Sequence, residues 1–88
     1  MRQSPEFFGE TELDLLFMAK RLREALKLEE LLTAAAIDYL VETASYTGGF
    51  IFRRQLTGAF FYIAPMDVER AREVLQANNY KPFEASAD

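Results

Sequence analysis

The chain of 88 residues contains no cysteine, no histidine and no tryptophan. Without a thiolate or an imidazole it cannot build a zinc finger, an iron–sulfur site, a cysteine nucleophile or a Ser-His-Asp triad, because each of these needs one of the two groups. Most of the chemistry open to small enzymes is thereby excluded. We therefore expect a protein that is not an enzyme and that carries no cofactor; an enzyme that uses only an arginine, a tyrosine or a carboxylate is a further alternative.

Long hydrophobic runs are also missing. The longest apolar stretch spans only residues 59–64, whereas about twenty residues are needed to cross a bilayer. The first residues show no apolar segment followed by small residues, so we expect no secretory signal, no membrane partner and a cytoplasmic location. Ten basic against fourteen acidic side chains give a net charge of −4, which disfavours binding to nucleic acid.

What the chain does contain is enough apolar material for one modest core. Half of its residues are hydrophobic, and twelve of them (eight Phe and four Tyr) are aromatic. A chain of this size buries roughly 60–70% of its unfolded surface, so one domain over residues 1–88 is expected without metal or disulfide support. Residues 1–11 and 84–88 are expected to be loosely ordered ends.

Residues 13–36 allow two interpretations. Apolar side chains alternate along residues 13–19, which predicts a strand covered on both faces. From residue 22 onward they recur at helical spacing, at Leu22, Ala25, Leu28, Leu32 and Ala35. We favour a strand over residues 13–19 followed by a helix over residues 22–36, with a single long helix as the alternative.

The middle of the chain has the composition of strands. Two glycine-containing signals, Gly48-Gly49 and Thr57-Gly58, predict turns between antiparallel strands at residues 38–46, 50–55 and 59–64. The last of these strands is apolar on both alternating sets of side chains. A sheet with one solvated face would not need that pattern.

The last third predicts a helix and a short edge strand. Asp67 can serve as N-cap for a helix whose apolar stripe begins at Val68, and Asn78-Asn79 tolerates the left-handed conformation at its end. Residues 80–83 then suit an edge strand, because Pro82 lacks only a donor that an edge does not use. The resulting order β-α-β-β-α-β is α+β, a ferredoxin-like split βαβ plait with an antiparallel sheet and two helices on one face.

Several segments resemble a known family. Residues 16–19 (LFMA) lead into REAL at 23–26 and ELLTAAAIDY at 30–39, and residues 63–75 read IAPMDVERAREVL. These stretches resemble the prokaryotic signal-transducing family of small PII-like plait domains. The resemblance implies a non-enzymatic sensor or adaptor, and it transfers no catalytic residues.

One departure from the family pattern is Ala36, where the family has a helix-ending glycine. An alanine at positive φ costs about 1 kcal/mol. We therefore expect the corner to turn differently or the helix to continue to Ile37.

Four aromatic residues are candidates for an interface: Phe50, Phe52, Phe60 and Tyr62. Rings on an open sheet face can stack on RNA bases, but the chain lacks the basic-Gly-aromatic signature of such domains and is acidic. Self-association as a dimer, with these rings buried between copies, is the favoured interpretation, and packing within the chain's own core is the alternative.

The candidate ligand-binding residues are Arg53 and Arg54, either of which could meet an anion. The alternative is an arginine that pairs with Glu42 or remains solvated. Acidic residues near the amino end have the wrong spacing for a calcium loop, so no metal site is expected. The sequence thus predicts a regulatory or small-ligand-binding domain that self-associates and binds a small metabolite or another protein. A purely structural protein–protein interaction module without a small ligand is the alternative.

Overall fold

The computed structural model describes the backbone of residues 1–48 and 54–83 and the side chains of residues 1–43 and 58–83. Its elements in chain order are α1 (Pro5–Phe8), β1 (Asp14–Ala19), α2 (Leu22–Ala34), β2 (Tyr39–Gly48), β3 (Arg54–Ile63), a 3-10 turn (Pro65–Asp67) and α3 (Val68–Ala77). The predicted strand and helix over residues 13–36 are confirmed as β1 and α2, and a single long helix is excluded.

The three strands form one antiparallel sheet in the order β1-β3-β2. Because β3 runs antiparallel to both neighbours, β1 and β2 are parallel to each other and are joined through α2. The described residues therefore form an α+β arrangement in which β3 is inserted between the two strands of a βαβ unit.

The strand β3 is longer than the sequence indicated. It runs without interruption through Thr57 and Gly58, which pair with Ser45 and Ala44 of β2. The predicted bend at this point, and with it the separation into strands 50–55 and 59–64, is wrong. The continuous ladder to β2 supplies hydrogen bonds that a local turn at Gly58 would break.

The predicted two-residue turn at Gly48-Gly49 is also wrong. Gly48 is the last residue of β2 and pairs with Arg54, the first residue of β3. The connection between the two strands therefore comprises residues 49–53, which lie outside the described residues.

The core lies between the sheet and helices α2 and α3. The buried apolar residues are Leu16, Ala19, Ala25, Leu28, Leu32, Ile37, Tyr39, Phe61, Ile63, Ala71 and Leu75. An irregularity between Leu15 and Phe17 shifts the register of β1 against β3. Leu16 is buried and Phe17 packs against the core, so this β-bulge lets two consecutive side chains of β1 contribute to it.

The corner after α2 differs from the expectation for Ala36. The helix ends at Ala34, and Ala36 adopts the left-handed conformation with φ 58°. Ile37 N–H donates to the Leu32 carbonyl at 2.9 Å and Ala36 N–H to the Thr33 carbonyl at 3.0 Å. These are the two bonds of a Schellman motif, and the burial of Leu32 and Ile37 provides its apolar contact, which offsets the strain at Ala36.

Ala36→Gly is expected to raise the free energy of unfolding by about 0.5–1 kcal/mol, because glycine has no Cβ and removes the strain at positive φ in the folded chain. The greater conformational entropy of glycine in the unfolded chain offsets part of this stabilisation. Urea denaturation measures the change. Ala34→Gly is the matched control, since Ala34 is the last helical residue and glycine there should cost up to about 1 kcal/mol. Equal losses in both variants would contradict the assigned conformation.

The end of α3 repeats this motif with Asn79 at φ 67°. Tyr80 N–H donates to the Leu75 carbonyl at 2.9 Å. Asp67 is the N-cap of α3 as predicted, but its carboxylate makes no cap hydrogen bond and lies 3.8 Å from Arg70.

The predicted edge strand at residues 80–83 is not formed as a strand, and the described residues contain three strands. Among the described residues, one backbone bond connects this segment to the edge of β1 that faces away from β3: Phe83 N–H donates to the Leu16 carbonyl at 2.7 Å. The proline at position 82 removes a donor that a regular ladder would use.

At the other edge, the amino-terminal segment runs beside β2. Arg2 forms an isolated parallel bridge with Tyr39, and Gln3 N–H donates to the Tyr39 carbonyl at 2.8 Å. Residues 1–11, which the sequence predicted to be loosely ordered, thus contain this bridge and the single-turn helix α1.

Candidate functional site

The carboxyl-terminal half of β3 carries apolar side chains on both faces of the sheet. Phe61 and Ile63 have no exposed surface and contribute to the core. Phe60 and Tyr62 alternate with them and are half-buried, and neither packs against the core cluster. Since successive side chains of a strand point to opposite faces, Phe60 and Tyr62 belong to the side of the sheet away from the core.

Neighbouring strands extend this second face. Tyr62 lies opposite Leu15 of β1 and Leu40 of β2, and Phe60 lies opposite Met18 of β1. These five half-buried residues, none of which packs against the core cluster, are called here the open sheet face. The structure thus brings two of the four predicted interface residues together with three apolar residues that the sequence did not single out.

One charged side chain accompanies the open sheet face among the described side chains. Glu42 lies opposite Phe60 on β2 and is exposed. An apolar surface with a single carboxylate at its margin has the composition of the centre of a protein–protein interface, from which charged residues are depleted.

The side chains of the remaining predicted site residues are not among those that the structure describes. Phe50, Phe52 and Arg53 lie outside the described residues. Arg54 opens β3 opposite Gly48, six residues along β2 from Glu42. At about 3.4 Å per residue, the backbone positions of Arg54 and Glu42 are therefore roughly 20 Å apart along the sheet.

A feature that sequence reasoning missed is a cavity of about 170 Å³ between β1 and α3. Its walls include Leu16, Ile63, Val68 and Phe83, and its charged lining residues have opposite signs: Arg72 and Asp14. The Arg72 Nε is inaccessible to solvent and has no hydrogen-bond partner among the described residues. Leaving a buried donor unsatisfied costs about 1–3 kcal/mol, so this atom is poised to meet an acceptor.

A sequence signal for this arginine did exist. Val68, Ala71 and Leu75 define the buried side of α3, and Arg72 follows Val68 by four residues. Residues four apart lie on the same helix face, so an arginine at this position interrupts the apolar stripe. A charged residue within such a stripe needs a partner or an opening, and the cavity supplies the opening.

A second, more open groove of about 540 Å³ lies between α1 and the 3-10 turn. Phe7 and Met66 line it with 55% and 89% of their surfaces exposed, and Phe7 meets Phe8 edge to face at 5.1 Å. Asp38 and Asp67 add two carboxylates to the lining. The groove combines exposed apolar surface with negative charge.

One buried hydroxyl connects the sheet to α2. The Tyr39 hydroxyl donates to Glu29 Oε1 at 3.0 Å, and the Tyr39 side chain is 2% exposed. Burial raises the pKa of the Tyr39 phenol above its usual 10.0, since an ionised phenolate would lose its hydration there, and the neighbouring Glu29 carboxylate acts in the same direction. The pair therefore holds the phenol in its neutral, donating form.

Comparison of the chain with protein-family models, with curated proteins and with solved structures gives no match. Within the described ranges, no three histidine, cysteine, aspartate or glutamate residues come together as metal ligands. No helix of the described part is both long and apolar enough to span a bilayer.

Proposed function

We propose that this chain is a non-enzymatic, cytoplasmic regulatory domain that binds a small ligand and self-associates as a dimer through the open sheet face. The observation that carries the proposal is the pair of apolar faces on β3, of which, among the described residues, only one is covered by helices. Signal transduction by a PII-like domain is the role that fits the sequence resemblance.

A complete ferredoxin-like plait is part of this proposal. The strand order β1-β3-β2 and the connections through α2 and α3 follow that plan. Residues 80–83 lie against the edge of β1 that faces away from β3, where a fourth antiparallel strand would extend the sheet. A partner that orders this segment into a ladder with β1 would complete the four-stranded plait.

A second copy of the chain is the occupant that suits the open sheet face. Three strands of about six residues give a footprint of roughly 14 × 20 Å. Two such footprints add up to about 560 Å², which is below the roughly 1,200–2,000 Å² of stable specific interfaces, so we expect a weak dimer that forms only at high concentration. The five apolar residues supply the buried surface, and a two-fold arrangement leaves Glu42 room at the margin.

Sedimentation equilibrium over micromolar to millimolar concentrations tests the dimer. The wild-type chain is expected to approach twice its mass of 10.1 kDa as its concentration rises. Phe60→Glu is expected to remain monomeric, because it places a carboxylate in the middle of the apolar face, where association would bury it without a partner.

Met66→Glu is the matched control, since Met66 is 89% exposed and lines the groove between α1 and the 3-10 turn, away from the open sheet face. It should dimerise like the wild type. A wild-type chain that remains monomeric throughout the range, or a Met66→Glu variant that dissociates as fully as Phe60→Glu, would refute association through this face.

The alternative, a structural interaction module without a small ligand, is favoured by the exposed Phe7 and Met66 beside two carboxylates. Thermal unfolding in the presence of candidate metabolites separates the two functions. A ligand that binds the folded chain raises the midpoint by mass action, and a midpoint unchanged by every metabolite tested would favour the structural module.

A further inference from the structure

We propose that the cavity between β1 and α3 binds a small α-amino acid, with its carboxylate on Arg72, its ammonium group on Asp14 and its side chain against the apolar wall. The inference deepens the ligand-binding half of the proposed function. It does not depend on self-association through the open sheet face.

The carboxylate end of the ligand follows from Arg72. Its Nε is shielded from solvent and without an acceptor among the described residues, so a hydrogen bond there would replace no bond to water. A guanidinium group presents its donors in a planar fork that matches the two oxygens of a carboxylate. A single neutral acceptor would satisfy less of this fork.

The size and polarity of the cavity limit what can accompany that carboxylate. At about 170 Å³ it is comparable to cavities that admit a molecule of about six non-hydrogen atoms. Leu16, Val68 and Phe83 line it, so a small apolar side chain of the ligand can pack against them. Nucleotides and sugar phosphates are too large, whereas a small amino acid fits.

Asp14 decides between an amino acid and a simple carboxylate. Arg72 and Asp14 line the same cavity, and no ion pair within 4.0 Å joins them in the described part of the chain. A bare carboxylate on Arg72 would be repelled by Asp14, and a bare amine on Asp14 would be repelled by Arg72. A zwitterion places one charge of the correct sign on each side chain.

Titration followed by amide NMR tests this assignment with three probes: L-alanine, propionate and ethylamine. Because the best small ligands bind with limited energy per atom, we expect a millimolar dissociation constant for L-alanine. Propionate and ethylamine should bind about 10- to 100-fold more weakly, since each lacks one charge-assisted contact. The largest shifts are expected in β1 and in the first turns of α3.

Two variants and one control assign the contacts. Arg72→Gln should abolish L-alanine binding, and Asp14→Asn should weaken it about 10-fold or more while improving propionate. Asp14 is exposed, so Asp14→Asn should keep the fold even if Arg72→Gln does not. Arg70→Gln removes a neighbouring, exposed arginine of α3 that does not line the cavity, and it should leave L-alanine affinity unchanged.

A further variant tests whether the carboxylate bound by Arg72 comes from an added ligand or from the chain itself. Glu84 follows Phe83 in the sequence and could supply a carboxylate. L-Alanine binding that appears only in Glu84→Gln, equal affinity of the wild type for L-alanine and propionate, or the absence of a saturable shift would each overturn the proposal. The sedimentation experiment reports on the open sheet face separately, so either proposal can fail while the other stands.

Discussion

Phe61→Ala is expected to lower the free energy of unfolding by about 3–5 kcal/mol. Phe61 is fully buried in the central strand, between Phe17 of β1 and Val41 of β2, and its ring centroid lies 5.7 Å from that of Tyr39. Backbone hydrogen bonds join β3 to β1 on one side and to β2 on the other. The cavity left by the ring therefore cannot close without breaking some of these bonds. Urea denaturation followed by circular dichroism measures the loss.

The neighbouring residue provides the matched control. Phe60→Ala makes the same truncation on the open sheet face, where the ring is only half-buried, and should cost about 1 kcal/mol or less in dilute, monomeric protein. Equal losses for the two variants would contradict the assignment of the two faces.

A fallback variant covers the case in which Phe61→Ala does not fold. A chain of this length has a total stability of roughly 4–13 kcal/mol, so the loss could exceed what is available. Phe61→Leu keeps most of the buried volume and should remain folded with a loss of about 1–2 kcal/mol. A Phe61→Leu variant as stable as the wild type would argue against a tightly packed site.

Local periodicity was sufficient to predict helices α2 and α3 and the first strand, but not the single-turn helix α1. In α2 the buried residues Ala25, Leu28 and Leu32 recur at intervals of three and four, which is the spacing that places side chains on one face of a helix. The order of elements from β1 to α3 follows from such patterns because each depends on neighbours within a few positions. Helix α2 was predicted two residues too long at its carboxyl end, where the Schellman motif at Ala36 overrides the apolar stripe.

Pairing between residues far apart in the chain could not be predicted from local sequence patterns. Thr57-Gly58 carries a local turn signal, yet both residues pair with Ala44 and Ser45 of β2, and nothing near Gly58 in the sequence indicates that pairing. Strand formation depends on the partner strand, whereas helical hydrogen bonds lie within the segment itself.

In the candidate sites, too, features that depend on local patterns were predictable and features that depend on long-range packing were not. Alternation of apolar residues in β3 was enough to predict that Phe60 and Tyr62 lie on a second face. Their neighbours on that face, Leu15 and Met18, depend on the bulge at Leu16, which shifts the register of β1. The Arg72 cavity requires two elements far apart in the chain, so its geometry appears only once β1 and α3 are packed together.

Tyr39→Phe is expected to lower the free energy of unfolding by about 1.5–3 kcal/mol near pH 8, the range for a hydrogen bond to a charged group. The phenol donates to Glu29 at 3.0 Å from a side chain that is almost fully buried. Removing only the hydroxyl leaves the ring packed on Phe61 and leaves one Glu29 oxygen without its donor. Because Glu29 is half-buried and water can reach it, the lower part of the range is the expected value.

The difference between wild type and Tyr39→Phe should shrink as the pH rises above 10. Burial raises the pKa of Tyr39 in the folded chain above its unfolded value of 10.0, so the stability contributed by the neutral phenol is complete below pH 10 and is lost as the pH passes through the folded pKa. Phenylalanine does not titrate and lacks this loss. Urea denaturation of both proteins at pH 8 and at successive pH values above 10 measures the difference, while Tyr80→Phe serves as the control because its ring is only half-buried, beside Phe17. A difference that stays constant or grows with pH would show that the Tyr39 phenol is not held neutral by its burial.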